Sequence, residues 1–316
     1  MVFVSERGIY LITTFLEENK QLLAISLALL GGIVARMILL RTDYRQYPTF
    51  PHGKIIHLSL GVIAAALGSV SVPALLSKDY TAITFLTLAA QQFRDVRKME
   101  RETMTKLDSQ ELVSRGATYI EGIAMVFEGR NYLVIISSLV TSFFASVFSI
   151  WWGLVASVII LIIVTKLKSG KQLQHITEVK QGTVKIVGPD LYVDDIYIMN
   201  VGLKSNQHIM AEHSLGFILT PHNPNGKVTI SNLGQRQAIL YDLATILGVY
   251  RDSGEPALIP MAKLDIAEGR LAVFVIPKEK DVSKALQIIK QVPLLESAVR
   301  MPTEAFANEK GGVEHG

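Results

Sequence analysis

Two glutamates, Glu121 and Glu128, are the residues of this sequence whose type and spacing most invite chemistry. Seven positions apart in a stretch of helical texture, they share one helix face at roughly 10 Å separation. Each is followed by glycine, as Glu121-Gly122 and Glu128-Gly129. Both stand at the edge of an apolar run, where a carboxylate is costly unless it is paired or wet. Three roles fit: a relay for protons or cations, pairing between helices with Arg36 or Arg130, and contacts to another subunit. The plain alternative is that both face interfacial water.

Other polar candidates are weaker. His57 stands near the start of an apolar run, where imidazole can bond another helix or sit among headgroups. His208 and His213 are five apart, the wrong spacing for a helical zinc pair, and have no third ligand in register. Asn232-Leu233-Gly234-Gln235-Arg236 joins expected elements, and Gln235 and Arg236 there could receive an anion. The chain has no cysteine, so disulfides, thiolate metal sites and cysteine nucleophiles are excluded. No phosphate-binding G-x-x-x-x-G-K-[ST] loop, H-E-x-x-H or nucleophile elbow is present. The expectation is a protein that is no enzyme, with no catalytic residue, metal or cofactor.

The surrounding elements explain where these residues can stand. With 49% hydrophobic and 19% charged residues and a mean hydropathy of +0.34, the chain is greasier than a soluble protein. The excess lies before Lys166. Residues 1–20 form an N-terminal segment without the basic start or cleavage site of a signal peptide, so the first span is expected to be an uncleaved anchor. Residues 21–93 form a first membrane half of three apolar segments: 21–40 and 55–76, each long enough to cross roughly 30 Å of hydrocarbon, and the shorter 81–93. Ala24, Ala28 and Gly32 fall on one face of the first, and Gly61, Ala65 and Ser69 on one face of the second. Small residues so spaced let helix backbones approach closely.

Residues 94–131 read as a charged cytoplasmic helical segment, with Val96, Met104 and Leu107 on one side and Glu100 interrupting that stripe. Residues 132–166 form a second membrane half, too long for one upright helix and read as two spans turning at residues 149–153, with Trp151 and Trp152 at the interface. Arg41, Arg45 and Lys54, then Arg94 to Arg130, then Lys166, Lys168 and Lys171 mark one side of the bilayer. Five crossings, N-terminus outside and C-terminus cytoplasmic, satisfy that bias.

Residues 171–301 alternate like a water-soluble α+β domain. Strands are expected at 183–187, 191–199, 227–231, 257–262, 271–276 and 295–299, and helices at 235–247 and 282–291. From residue 227 on this is β-α-β-β-α-β, the ferredoxin-like order, with the first two strands as an added hairpin. Residues 302–316 lack periodicity and read as a flexible tail. The net charge is only +3, with the basic residues beside apolar runs, so nucleic acid is not an expected partner.

The hexapeptide Tyr119-Ile120-Glu121-Gly122-Ile123-Ala124, set between Arg115-Gly116-Ala117-Thr118 and Met125-Val126-Phe127-Glu128-Gly129-Arg130-Asn131-Tyr132, resembles the signature of the YIEGIA family of bacterial membrane proteins. The resemblance implies an endospore-forming Gram-positive source, a link to sporulation, no established enzymatic activity and a small soluble protein partner. It supplies no catalytic residues; Tyr119, Glu121 and Gly122 carry over only as a family hallmark. The resulting expectation is an integral membrane protein acting in a membrane complex during spore formation, in envelope assembly, in the forespore or mother-cell membrane. Its partners are the lipid bilayer and a small soluble protein or a second copy. Two alternatives stay open. One is a transporter or channel component with Glu121, Glu128 and Arg36 along a polar path; the other is a ligand sensor using Gln235 and Arg236.

Overall fold

A computed structural model of the chain describes residues 19–43, 51–111, 113–167, 171–252, 255–256 and 260–299. Residues 1–18, Arg45, Pro48, Lys168, the start of the strand expected at 257–262 and the 302–316 tail lie outside the described residues. Contacts divide the chain into two units, residues 1–100 with 125–169, and residues 101–124 with 170–316.

The first unit is helical. Its helices are α1 (Lys20–Asp43), α2 (Pro51–Leu76), α3 (Tyr80–Asp108, to Glu100), α4 (Ala117–Val147, from Met125) and α5 (Ile150–Leu167). Lys20–Arg41, Gly53–Leu76, Ala117–Val147 and Ile150–Leu167 are long and apolar enough to cross a membrane; among the described residues these four qualify, and α3 does not. The boundaries expected at residues 93/94 and 131/132 fall inside α3 and α4. An uninterrupted backbone ladder runs through both positions, because composition changes there without any helix-breaking residue.

The small-residue faces meet. Ala24, Ala28, Gly32, Gly61, Ala65 and Ser69 are all buried. A Cβ on Gly32 would lie 2.7 Å from the Ala65 Cβ, and one on Gly61 would lie 2.3 Å from the Arg36 Cγ, so only glycine fits at either crossing. These pairings run in opposite directions along the sequence, so α1 and α2 are antiparallel. Helix α3 runs back along α2: Ser71 and Leu75 share a cavity with Ile83, Leu86 and Thr87, while His57 lies beside Glu100. Helix α4 follows the direction of α2, with Ser142 Oγ donating to Ser69 O at 2.7 Å. Helix α5 follows α1, where Gly31 abuts Ser157 and Gly153 abuts Leu27. Trp151 and Trp152 at its start are exposed.

The second unit has a four-stranded antiparallel sheet in the order β1-β5-β9-β8, formed by β1 (Thr177–Gly182), β5 (Leu215–Pro221), β9 (Leu271–Val275) and β8 (Met261–Leu264). A meander of β2 (Val184–Val187), β3 (Asp190–Val193) and β4 (Ile196–Asn200) makes a second sheet. Arg251–Asp252 (β6) pairs with Glu255–Pro256 (β7). The helices are α6 (Lys204–His213), α7 (Pro224–Ser231), α8 (Leu233–Leu247) and α9 (Val282–Gln291). Leu191, Val193, Met210, Ala272 and Phe274 form the centre of one core.

Helices at α8 and α9 match the sequence reading. Asn232 and Asp281 cap them, accepting from the N–H groups of Gln235 and Lys284. Ile239, Leu243 and Leu247 of α8 are buried while Ile246 is half exposed.

Four expectations need correction. Residues 227–231 belong to helix α7 instead of a strand: Asn223 caps Gly226 N at 2.8 Å and Pro224 takes the first helical position, which outweighs the β-branched Val228, Thr229 and Ile230. The strand expected at 191–199 is two, because Asp194 turns with φ 56° and its carboxylate accepts from Thr183 N. The closing strand at 295–299 is a single 3-10 turn, Glu296–Ala298. Its neighbouring backbone is bonded by a side chain, Gln235 Oε1 accepting from Leu295 N at 2.8 Å, and the sheet position beside β5 is already taken by β1. β1, β5 and α6 went unread, although Leu215–Pro221 is the continuous apolar run of a strand buried on both faces. The expected β-α-β-β-α-β order is therefore absent from residue 227 onward.

Candidate functional site

Helix α4 carries the hexapeptide, and its first two turns belong to the second unit. There the hexapeptide is a packing surface. Tyr119 is 5% exposed, and a Cβ on Gly234, at the start of α8, would come 3.1 Å from the Tyr119 Cα. A Cβ on Gly122 would come 2.3 Å from Ser297 Oγ in the 3-10 turn. Two glycines, one on each side, thus let the first turns of α4 approach α8 and the 3-10 turn of the same unit at backbone distance. Ile120, Ile123 and Ala124 are buried beside them. Glu121 faces Arg101 at 3.6 Å across half-exposed surface, a geometry worth little in isolation.

The turn before the motif is fixed by charge. Asp108 accepts from the backbone N–H groups of Arg115 and Gly116 at 2.6 and 3.0 Å. The Arg115 guanidinium lies over the Tyr241 ring, 3.4 Å from its centroid. Asp242, next to Tyr241, is half-buried, and the loss of water around it pushes its carboxyl up to about 6 against the opposing pull of Arg115.

The first unit gathers a second set of charges. Arg36 is fully buried; its Nε donates to His57 O at 3.4 Å and its guanidinium sits 4.6 Å from the centroid of Phe127. His57 is also buried, tilted against the same ring, with Nε2 3.8 Å from Glu100 Oε2. Glu128 faces Arg97 at 3.6 Å, and Arg130 donates to Leu39 O at 2.9 Å. Glu128 therefore has an arginine from α3 as its near partner, as Glu121 has Arg101. Glu100 and His57 were not joined by sequence reasoning. The available signal was Glu100 interrupting an otherwise apolar helix face, since a carboxylate held there needs a partner.

Gln235 and Arg236 have structural uses. Gln235 is fully buried, its carboxamide donating to Pro293 O and accepting from Leu295 N. Arg236 donates to Ile230 O and Ser231 O, the free carbonyls at the end of α7. His208 and His213 lie on the surface beside Glu212, and the described residues contain no cluster of three or more His, Cys, Asp or Glu that could hold a metal.

The fold and the motif define a class: a chain with four helices long and apolar enough to cross a membrane, and a sheet-containing unit of which the Tyr119–Ala124 helix end is part. The chain belongs to the YIEGIA family, whose sequence profile, described as YIEGIA protein, matches residues 24–305. It is similar to a Bacillus subtilis (strain 168) protein named uncharacterized protein YphB, with 55% identity over 280 residues, covering 89% of this chain and 94% of that one. No solved structure matches.

Proposed function

We propose that this chain is a non-enzymatic membrane protein that acts as a docking platform in a membrane complex during sporulation, in assembly of the spore envelope. The observation that carries the reading is the use made of the hallmark: Tyr119 and Gly122 are buried in packing against Gly234 and Ser297, and Glu121 faces Arg101. The motif thus serves to build a surface. The sporulation context rests on family membership, and the partners are the bilayer and a small soluble protein or a second copy.

The reading takes five crossings, with the N-terminus outside and the soluble domain in the cytoplasm. Its support is that α3 returns alongside α2 from Ile83 to Glu100, beside His57. Twenty helical residues after Tyr80 rise about 30 Å, the thickness of the hydrocarbon core. With alternating directions, Arg41, Lys54, Arg97, Lys98 and Lys166 fall at one end of the helices, which the positive-inside rule makes cytoplasmic. We read the main sheet as ferredoxin-like with its fourth strand contributed from upstream by β1, which pairs antiparallel with β5.

A second reading, a polar path through the helices, has one observation in its favour. Asn131 and Ser138, two turns apart on α4, are both fully buried, and among the described residues Asn131 Nδ2 and Oδ1 and Ser138 Oγ have no hydrogen-bond partner. In hydrocarbon such groups favour water or an ion.

Deletion in an endospore-forming host tests the leading reading. Loss of heat-resistant or germination-competent spores is expected, restored by the wild-type gene and not by Gly122→Val. Fully normal spores from the deletion strain would overturn it.

A further inference from the structure

A cavity of about 270 Å³ lies in the soluble domain between the start of α8 and strand β8. Its lining joins an apolar set, Ile198, Leu240, Pro260 and Met261, to two cations, Arg236 and Lys263, and among the described residues it contains no carboxylate. Ile198, Leu240 and Pro260 are buried, so the base of the cavity is dry and greasy. Arg236 is held in place by its two bonds to the end of α7, through Nε and one terminal nitrogen, and it meets the cavity with a fixed orientation. Lys263 is exposed at the rim, and among the described residues its ammonium makes no ion pair or side-chain hydrogen bond.

We infer that this cavity binds a small organic anion: a carboxylate or phosphate ester whose charged end lies between Arg236 and Lys263 and whose apolar end rests on Ile198, Leu240 and Met261. Two features select that class. A half-buried guanidinium held by two backbone carbonyls, beside an exposed lysine, is a clamp for a planar or tetrahedral oxyanion. The apolar base penalises a bare inorganic ion, which would leave that surface dry and uncovered, and the volume lies just below the usual range for drug-sized ligands, so the apolar group is no larger than about one ring. Burial also depresses the Arg236 pKa, a penalty on the cation that an arriving anion offsets. Gln235, one residue away, is not among the lining residues; its carboxamide bonds the backbone of Pro293 and Leu295. This inference is independent of the docking-platform reading, since a platform can carry the site or lack it.

The test uses the full chain in nanodiscs, with sodium benzoate, phenyl phosphate and neutral benzamide as probes, followed by calorimetry at constant ionic strength. Saturable binding of at least one anion is expected, with no binding of benzamide. Lys263→Gln should weaken the anion roughly tenfold, the cost of one charge-assisted contact, while leaving the unliganded melting temperature unchanged because the side chain is exposed. Inorganic phosphate should bind more weakly than phenyl phosphate. Failure of both anions to bind, equal binding of benzamide, or an affinity unchanged by Lys263→Gln would overturn the assignment.

Discussion

Gly122 and Ser297 are in contact so close that a Cβ on the glycine would fall 2.3 Å from the serine Oγ and 3.1 Å from its Cβ. A helix in an apolar stretch gains about 1 kcal/mol from replacing glycine by alanine, so retaining glycine here needs a reason, and the approach of Ser297 supplies one.

The contact predicts a graded series. Gly122→Ala should change stability little, because helix propensity offsets the displacement of one hydroxyl. Gly122→Val should cost about 1–3 kcal/mol from overpacking. Adding Ser297→Gly should recover part of that loss. Thermal unfolding of these proteins, with wild type and the Ser297→Gly single variant, in one detergent measures it, and additive effects of the two changes would show that the contact does not constrain the motif.

Asp242 predicts a pH dependence. Its folded pKa of about 6 lies above the ordinary aspartate value of 3.8, so the folded chain binds the proton more tightly than the unfolded one. The associated stability is fully present below the unfolded value and is lost as pH rises through the folded value. Asp242→Asn should therefore stabilise the protein at pH 7, by on the order of 2 kcal/mol, and have a shrinking effect as pH falls toward 4. Melting curves of both proteins across pH 4–8 supply the comparison; a constant difference would contradict the burial of this carboxyl.

Helix α3 predicts a topology result. The chain has no cysteine, so single cysteines report cleanly. Tyr80→Cys and Gln110→Cys should be labelled by a membrane-impermeant maleimide from opposite sides of the cell membrane. Labelling from the same side would mean that α3 does not cross.

Asn131 separates the two functional readings. Replacing a fully buried carboxamide that has no partner among the described residues by Asn131→Leu should leave stability unchanged or raise it by about 1 kcal/mol. On the docking reading, spore yield is then normal. A stable, correctly inserted Asn131→Leu protein that fails to support sporulation would favour the polar path.

Much of the helical unit was legible because its signals are local. Length and apolarity mark α1, α2 and α5, and the four-residue spacing of Ala24, Ala28 and Gly32 identifies the packing face. The sheet-containing unit was legible where a cap and a period agree, as at Asp281 and Ala285–Ile289 of α9. It was misread where local signals conflict: Val228-Thr229-Ile230 suggests a strand, while Asn223-Pro224 starts a helix. Leu295–Val299 has strand-like composition, but Gln235, sixty positions earlier, bonds its backbone, a competition that propensity does not contain.

The hexapeptide divides along the same line. Sequence alone determined that Tyr119–Ala124 opens a semi-apolar helix beside a membrane span, and that Glu121 and Glu128 share a face, because helical period and hydropathy are properties of neighbouring residues. Only the tertiary structure decided that Tyr119 and Gly122 meet Gly234 and Ser297, that Arg101 and Arg97 face the two glutamates, and that Arg36 lies under Phe127 beside His57. Those relationships depend on which distant backbones come within a few ångströms. That is set by the sum of packing over whole helices, in which each glycine contributes only the absence of a side chain.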